Sequence, residues 1–171
     1  PSTKRKGIFF FDRVSLSRPE ILRYETRLTN EYRPPRSSRI LLLLPIARKR
    51  TYDRKSTLGG LLGKLSTNRM VHCCFCTIPY GVVPLELCET FPLAQTELAL
   101  PPDEETLEHV ESFTMSYLER NRYRAVVLHI DRTIFRRKLR EACQRSCIRS
   151  KKRLIVSYEG VEPWSDEATS R

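Results

Sequence analysis

The stretch "RILLLLP", residues 39–45, decides the fold of this chain. Its apolar residues follow one another without the polar alternation of a strand that has one face in water. An unbroken apolar run of this length, closed by a proline, indicates a strand that is buried on both faces. Residues 70–78, 125–130 and 154–158 are further short apolar runs. The sequence therefore predicts a parallel sheet with both faces covered.

Helical patterns alternate with these strands. Apolar side chains recur at helical spacing in four segments, residues 17–32, 56–66, 101–120 and 131–153. We expect Ser17 and Asp103 to cap the first and third helices, with Pro19 in the first turn. Residues 79–87, where Gly81 stands between two prolines, are expected to form a loop. The alternation predicts the α/β class, as a three-layer α/β/α domain with a mostly parallel four-stranded sheet.

The length of 171 residues suits one domain, and the sequence shows no second core. We predict a basic N-terminal arm at 1–15, a single α/β domain at 16–158 and a polar C-terminal tail at 159–171. A run of about 18 apolar residues is missing, and the basic start lacks the apolar core of a secretory signal. With cysteines that do not resemble a disulfide framework, these features predict a cytoplasmic protein without a membrane partner.

Positive charge is segregated along the chain. The net charge is +11 overall, with +10 in residues 1–58, −9 in residues 70–119 and +11 in residues 120–153. A merely solvated surface would mix the two signs along the sequence. Two basic blocks that flank an acidic block instead indicate a protein that binds nucleic acid.

RNA binding is predicted at the carboxyl edge of the sheet, where the ligands of parallel α/β folds lie. The loop 45–57 carries several Arg and Lys residues around Tyr52, and guanidinium groups match phosphate oxygens. The loop has no glycine, which excludes a phosphate-binding loop of the nucleotide triphosphatase type. The predicted RNA-binding residues are Lys4, Arg5, Lys6, Arg48, Lys49, Arg50, Tyr52, Arg54, Lys55, Arg132, Arg136, Arg137, Arg140, Lys151, Lys152 and Arg153.

The ionisable side chains form no catalytic or metal-binding pattern in the sequence. The cysteines lie on apolar faces without zinc-knuckle spacing, so we interpret them as core residues and predict no metal and no cofactor. Cys74 and Cys76 share a strand face, which leaves a zinc site as an open alternative. Asp131 follows the third strand, where it suits a helix cap better than a general base. Nucleophilic or acidic partners at a telling spacing are also missing for the three histidines, His72, His109 and His129.

With these elements placed, the chain resembles the central α/β domain of archaeosine synthase, the archaeal tRNA-modifying enzyme related to tRNA-guanine transglycosylases. The resemblance covers roughly residues 14–150 and rests on "LSRPEILRYETRLTNEYRPP", "ILLLLP", "CTIPYGVVPLEL", "FPLAQTEL" and "YLERNRYRAVVLHI". Its most specific piece is the Gly-Val-Val-Pro-x-Glu-Leu segment at 81–87. The resemblance implies a three-layer α/β/α domain similar to uracil-DNA glycosylases, in agreement with the predicted strands.

The motif that follows the first strand departs from this family. The family carries Pro-Cys, three residues, Lys-Pro-Tyr, two residues, Ser, two residues and His, and the spacing here is kept without a gap. Pro45 and Tyr52 match. The replaced positions are Ile46 for the Cys, Arg50 for the Lys, Thr51 for the second Pro, Lys55 for the Ser and Leu58 for the His. Ile and Leu neither attack carbon nor transfer protons, so we expect a degenerate stand-alone paralogue whose catalytic motif is lost.

One functional prediction and two alternatives follow. We predict a non-catalytic RNA-binding protein, an archaeal ribosomal or ribosome-associated component that binds rRNA beside ribosomal proteins. The first alternative is a non-catalytic subunit of a tRNA-modifying complex in archaeosine synthesis, with tRNA as the RNA partner. The second is an enzyme of unknown chemistry in the same cleft that uses Asp131, His129 or Cys76.

Overall fold

A computed structural model describes residues 8–9, 16–45, 57–88, 90, 96–97, 103–130 and 134–157. The strands and helices are, in chain order, β1 (Ile8–Phe9), α1 (Pro19–Thr26), β2 (Ile40–Pro45), α2 (Thr57–Ser66), β3 (Val71–Thr77), β4 (Gly81–Pro84), β5 (Thr96–Glu97), α3 (Glu104–Arg120), β6 (Ala125–Leu128), α4 (Ile134–Arg149) and β7 (Arg153–Val156). A π-helical turn, Arg27–Glu31, continues α1, and a 3-10 turn, Leu85–Leu87, follows β4.

The main sheet has five strands in the order β4-β3-β2-β6-β7. Its centre is β2, where Ile40 pairs in parallel with Val71 of β3 and with Ala125 of β6. The strand β7 is parallel to β6, whereas β4 runs antiparallel to β3. The predicted α/β class with a mostly parallel sheet is confirmed.

The fifth strand corrects the prediction of four. β4 lies within residues 79–87, whose prolines and glycine are typical of a loop. It is an edge strand, so Pro84 removes no hydrogen bond from the interior of the sheet. Gly81 has a φ of 66°, a left-handed conformation that glycine adopts readily, and it turns the chain between β3 and β4. Gly and Pro therefore mark a tight connection and an edge strand here.

A second, two-stranded parallel sheet pairs β1 with β5. Ile8 pairs with Thr96, and Phe9 pairs with Glu97. Two residues of the predicted N-terminal arm are therefore strand residues, and the remaining arm residues, 1–7 and 10–15, lie outside the described residues.

The strands β3 and β6 lie on opposite sides of β2, and this arrangement divides the helices between the two faces of the sheet. The chain passes through α2 to β3 on one side of β2, and later through α3 to β6 on the other side. Because parallel crossovers are right-handed, α2 and α3 lie on opposite faces. α4 packs against α3 and so shares its face. The predicted three layers are confirmed, and a topological switch point lies between the carboxyl ends of β2 and β6.

The predicted N-terminal cap is confirmed for α3 and is wrong for α1. Asp103 caps α3 as predicted, because its side chain accepts a hydrogen bond from the N–H of Thr106 at 2.8 Å. The predicted cap of α1 at Ser17 is wrong. The cap is Arg18, and no side chain bonds to this end of the helix. Pro19 occupies the first helical position, and since it has no N–H the helix has one fewer donor to satisfy.

The core agrees with the apolar patterns. All four leucines of β2, residues 41–44, are buried, as expected for a strand covered on both faces. The buried stripe of α4 is Leu139, Ala142, Cys143, Ser146 and Cys147. Cys73, Cys74 and Cys76 are buried in β3 as free thiols, which confirms their role in packing. Among the described helices, none combines the length and the apolar character that crossing a bilayer requires.

Candidate nucleic-acid interface

The carboxyl edge at the switch point brings together the residues that follow β6 and β7. The N–H of His129 donates to the carbonyl oxygen of Leu43 at 2.9 Å, and that of Ser157 donates to Leu128 at 3.1 Å. The two side chains are neighbours, with His129 Nδ1 2.7 Å from Ser157 Oγ. His129 is buried, and the Ser157 hydroxyl also lies 3.4 Å from the Leu128 carbonyl oxygen, to which it can donate. The pair therefore ties β7 to β6 at the floor of this edge.

Most of the predicted RNA-binding residues lie outside the described residues. Residues 46–56 and 131–133 connect to the carboxyl ends of β2 and β6, and they lie outside the described residues. The same holds for the predicted residues of the arm. The predicted residues concerned are Lys4, Arg5, Lys6, Arg48, Lys49, Arg50, Tyr52, Arg54, Lys55 and Arg132. Their contact with RNA stays a prediction, as does the assignment of Asp131 as a cap.

The predicted RNA-binding residues that the structure does describe divide between two edges of the sheet. Those on the first half of α4 are Arg136, Arg137 and Arg140, and those beyond its C-terminal end are Lys151, Lys152 and Arg153. The helix has 16 residues and so spans about 24 Å, at about 1.5 Å per residue. The first group therefore lies towards the carboxyl edge, and the second lies at the amino edge, where β7 begins.

Part of the charge of α4 is neutralised within the protein. Three of its basic residues form ion pairs with the acidic helix α3: Lys138 with Glu104, Arg145 with Glu111, and Arg149 with Glu119. Lys152 Nζ donates to the carbonyl oxygen of Leu118 near the end of α3. Basic and acidic blocks that are separate in the sequence thus pack against each other. Lys152 is half-buried, and its ammonium group bonds to a carbonyl oxygen of α3. This contact weakens the prediction that Lys152 binds RNA.

A buried polar network lies at the amino end of the sheet, and sequence reasoning missed it. His72 Nδ1 is 2.6 Å from the hydroxyl of Tyr123, which is 3.1 Å from the hydroxyl of Tyr117. On its other side, His72 Nε2 is 3.0 Å from the hydroxyl of Tyr32. That hydroxyl donates to the carboxylate of Glu86. The bonds are mutually consistent if His72 carries its proton on Nε2 and accepts at Nδ1.

The electrostatics of this network place one negative charge at its outer end. Partial burial alone would raise the pKa of Glu86, but hydrogen bonds from His72 and Tyr32 outweigh it and lower that pKa to about 2. Burial raises the pKa of Tyr123, so this phenol stays protonated. The network is therefore a chain of hydrogen-bonded side chains that ends on a half-exposed carboxylate. The network connects four segments that are far apart in the sequence, so no local sequence pattern predicts it.

The described residues offer no metal site. Within the described ranges, no group of three or more His, Cys, Asp and Glu side chains could hold a metal ion. Burial raises the pKa of Cys76 well above its ordinary value, and the neighbouring Cys143 contributes a smaller increase. A thiol must lose its proton to bind a metal, so a raised pKa opposes binding. The absence of structural zinc stays a prediction.

Comparison with known proteins places the chain in a family. A family model described as "Domain of unknown function (DUF5591)" matches residues 21–170. The archaeosine synthase subunit alpha of Methanosarcina acetivorans is 35% identical over 148 residues, which are 85% of this chain and 23% of that protein. The tRNA-guanine(15) transglycosylase of Saccharolobus solfataricus is 29% identical over 124 residues, 72% of this chain and 24% of that protein. The chain spans about a quarter of the length of these relatives.

A solved structure supports the fold. The crystal structure of AF0587, a protein of unknown function, matches with a TM-score of 0.58 at 24% identity, over 86% of this chain and 47% of that one. At this identity the similarity supports the fold alone. The family match covers most of the chain, and it agrees with the resemblance found in the sequence motifs. The chain therefore belongs to the DUF5591 family and is an archaeosine synthase-related domain.

Proposed function

We propose that this chain is a non-catalytic tRNA-binding module that acts in archaeosine synthesis. The relatives reported above are named an archaeosine synthase subunit alpha and a tRNA-guanine(15) transglycosylase. None of those reported is a ribosomal protein. They therefore favour the tRNA-modifying alternative over the ribosomal component that the sequence analysis puts first, and the ribosomal assignment finds no support in them.

The loss of the family motif carries the non-catalytic part of the proposal. Four polar positions are replaced while the spacing between Pro45 and Leu58 is kept, and these replacements are Ile46, Arg50, Lys55 and Leu58. An isoleucine cannot replace a cysteine as a nucleophile, and a leucine cannot replace a histidine as an acid or base. The change of a serine to Lys55 adds positive charge, and Arg50 keeps the charge of the lysine that it replaces while it offers a planar fork to phosphate oxygens. Such a loop suits the binding of a phosphate better than a covalent step.

The floor of the carboxyl edge supports the same conclusion. His129 is buried with Nδ1 directed at Ser157, and Ser157 has a backbone carbonyl within donating distance. This arrangement joins two strand ends. A nucleophilic serine needs its proton directed at an unprotonated imidazole nitrogen, whereas the Ser157 hydroxyl can also accept from His129 Nδ1 and donate to the Leu128 carbonyl oxygen. We therefore assign the pair a structural role and expect another protein to supply the catalytic residues.

The experiment measures binding and turnover on the same preparation. The purified chain is titrated against a tRNA transcript by electrophoretic retention, and it is incubated with lysine and a tRNA that carries preQ0. The archaeosine synthase subunit alpha of Methanosarcina acetivorans serves as the positive control for the adduct. We expect tRNA retention that weakens steeply with salt, and no adduct from this chain alone.

Each outcome bears on a different part of the proposal. Adduct formation at a rate near that of the control would refute the non-catalytic part. Failure to retain tRNA would refute the binding part. Sedimentation of the native protein with ribosomes, released only at roughly molar salt, would restore the ribosomal alternative.

A further inference from the structure

Exposed arginines gather at the amino edge of the sheet, opposite the switch point. They stand in the turns that lead into the parallel strands, or at the first residue of a strand. We name them the amino-edge cluster: Arg36, Arg39, Arg69, Arg122, Arg124 and Arg153. All six side chains are exposed. Only Arg153 belongs to the RNA-binding set predicted from the sequence.

Backbone hydrogen bonds join three members of the cluster into a row. The N–H of Arg124 donates to the carbonyl oxygen of Arg39 at 2.7 Å, and the N–H of Arg153 donates to Arg124 at 3.0 Å. Neighbouring strands lie about 4.8 Å apart, so the backbones of these three arginines lie side by side where β2, β6 and β7 begin. Arg153 is in register with Ala125, one residue beyond Arg124. Ser37 Oγ donates to the carbonyl oxygen of Arg69 at 3.0 Å, which holds a fourth beside them.

The charge of this row is not cancelled by the described part of the chain. Among the described residues, no member of the cluster forms an ion pair with Asp or Glu. Two described carboxylates towards this end are engaged elsewhere, Glu86 with Tyr32 and Glu119 with Arg149. Within the described part of the chain, the cluster is therefore available to an anionic partner.

The helix dipoles give an ordinary reason for positive charge at this edge, but they account for only part of it. The negative ends of α2, α3 and α4 all lie at the amino edge of a parallel α/β fold. Each of these helices already has a basic residue in its last turn, and these residues are Lys64, Arg120 and Arg149. The dipole effect fades beyond the last turn. The amino-edge cluster lies in the connections and strand starts that follow, so its charge exceeds what the helices use.

The backbone at Lys151 adds an independent observation. Lys151 is exposed and has a φ of 53°, the left-handed region that glycine usually fills at a helix end. The cap of α4 closes around it, because the N–H of Lys152 donates to the carbonyl oxygen of Cys147 at 2.8 Å. A lysine that keeps this unfavourable backbone conformation beside the amino-edge cluster indicates that its positive charge has a function there.

We propose that the amino-edge cluster, with Lys151, is a binding face for the phosphate backbone of RNA. This inference rests on the proposed function, since tRNA is the RNA that the module would bind. The cluster consists of arginine, whose planar fork matches phosphate oxygens in two-point contacts. Because it lies at the edge opposite the switch point, it would hold the RNA backbone while the switch point stays open to the substrate of a partner enzyme.

The test compares three variants that lose the same charge. The row variant is Arg39→Gln, Arg124→Gln and Arg153→Gln, and the turn variant is Arg36→Gln, Arg69→Gln and Arg122→Gln. The control variant is Arg23→Gln, Arg27→Gln and Arg145→Gln, which are exposed positions on α1, on the π-helical turn that continues it and on α4, and none of them belongs to the predicted RNA-binding set. The turn variant leaves the strand starts unaltered, so it remains informative if the row variant folds poorly. Each full-length variant is titrated with a tRNA transcript between about 50 and 200 mM salt.

We expect both cluster variants to bind tRNA more weakly and to flatten the log–log salt slope by about 2–3, since each lost phosphate contact removes roughly 0.7–0.9. The control variant should keep the slope of the wild type. Cluster variants that bind as the wild type does would overturn this inference while leaving the proposed function intact. A wild-type protein that binds no tRNA would refute the proposed function itself. Variants that keep tRNA but lose a copurifying protein would assign the face to an acidic protein and overturn the RNA proposal.

Discussion

His72 and Tyr123 are joined by a 2.6 Å hydrogen bond that passes over the amino end of the central strand β2. His72 belongs to β3 and Tyr123 precedes β6, and these two strands flank β2 on opposite sides. Both side chains are buried. The bond therefore links the two halves of the sheet at the end away from the switch point. It also gives His72 a structural role that its position in an apolar strand does not reveal.

Tyr123→Phe tests the importance of this link. The substitution keeps the ring but leaves His72 Nδ1 and the Tyr117 hydroxyl without their partner in a buried place. A buried polar group without a hydrogen bond keeps its full desolvation penalty uncompensated. We therefore expect the free energy of unfolding to fall by about 2–3 kcal/mol. Urea denaturation measures it. Tyr32→Phe is the control, since Glu86 is half-exposed to water and lies 3.5 Å from His72 Nε2, whose lost partner it can replace, and the effect should stay below about 1 kcal/mol. Equal effects would contradict this ranking.

Glu86 should give the protein an acid-sensitive component of stability. Its pKa in the folded protein is about 2, below its ordinary value of 4.5. The ionised carboxylate therefore stabilises the fold above about pH 4.5, and this contribution is lost as the pH falls towards 2. Thermal midpoints measured across this range should fall less steeply for Glu86→Gln than for the wild type. The exposed Glu31, changed to Gln, should leave the profile as it is. Parallel profiles for all three proteins would refute the assignment.

The thiols of the core should resist alkylation in the native protein. Burial raises the pKa of Cys73 to about 11, and it raises those of Cys74 and Cys76 well above their ordinary value. Alkylation requires the thiolate, and a thiol with a raised pKa forms little thiolate near neutral pH. With iodoacetamide near neutral pH, we expect the half-buried Cys88 to react first, and peptide mass spectrometry identifies the site. Modification of Cys76 as fast as Cys88 would show that β3 is less protected than described.

The same cysteines should hold no structural zinc. Cys73, Cys74 and Cys76 lie on β3, and Cys143 and Cys147 lie on α4, without knuckle spacing. Burial favours their protonated thiols, which opposes metal binding. Elemental analysis of protein purified without chelators should find well under one metal ion per chain. A stoichiometric zinc that survives dialysis would show a site formed with residues outside the described part of the chain.

Lys151→Gly should separate stability from RNA binding. The change relieves a left-handed side chain that costs about 1 kcal/mol, and it removes a favourable interaction with the end of α4. We expect the free energy of unfolding to rise by roughly 0.5 kcal/mol, as the difference between these effects. The same variant should bind tRNA more weakly and flatten the salt slope by about 0.7–0.9. Unchanged tRNA binding would remove Lys151 from the proposed face.

The sequence by itself determined the central strand and the strongest helix. The run at residues 39–45 has no polar alternation because β2 is covered on both faces, so burial leaves a local signature. The cap at Asp103 and the helical spacing that follows are equally local. β4 was missed because Gly81 and Pro84 look alike in a loop and in an edge strand. What distinguishes the two is pairing with β3, which is a long-range property.

Only the tertiary structure decided where the charges act. The basic and acidic blocks of the sequence meet as α4 and α3, so part of the apparent RNA-binding charge is neutralised by ion pairs. Arg39, Arg124 and Arg153 are far apart along the chain, and strand pairing brings their backbones side by side at one edge of the sheet. Local sequence determines whether a segment is a buried strand or a capped helix, because those signals arise within a few residues. The neighbours of a surface charge depend on how distant segments pack, and no short pattern encodes that.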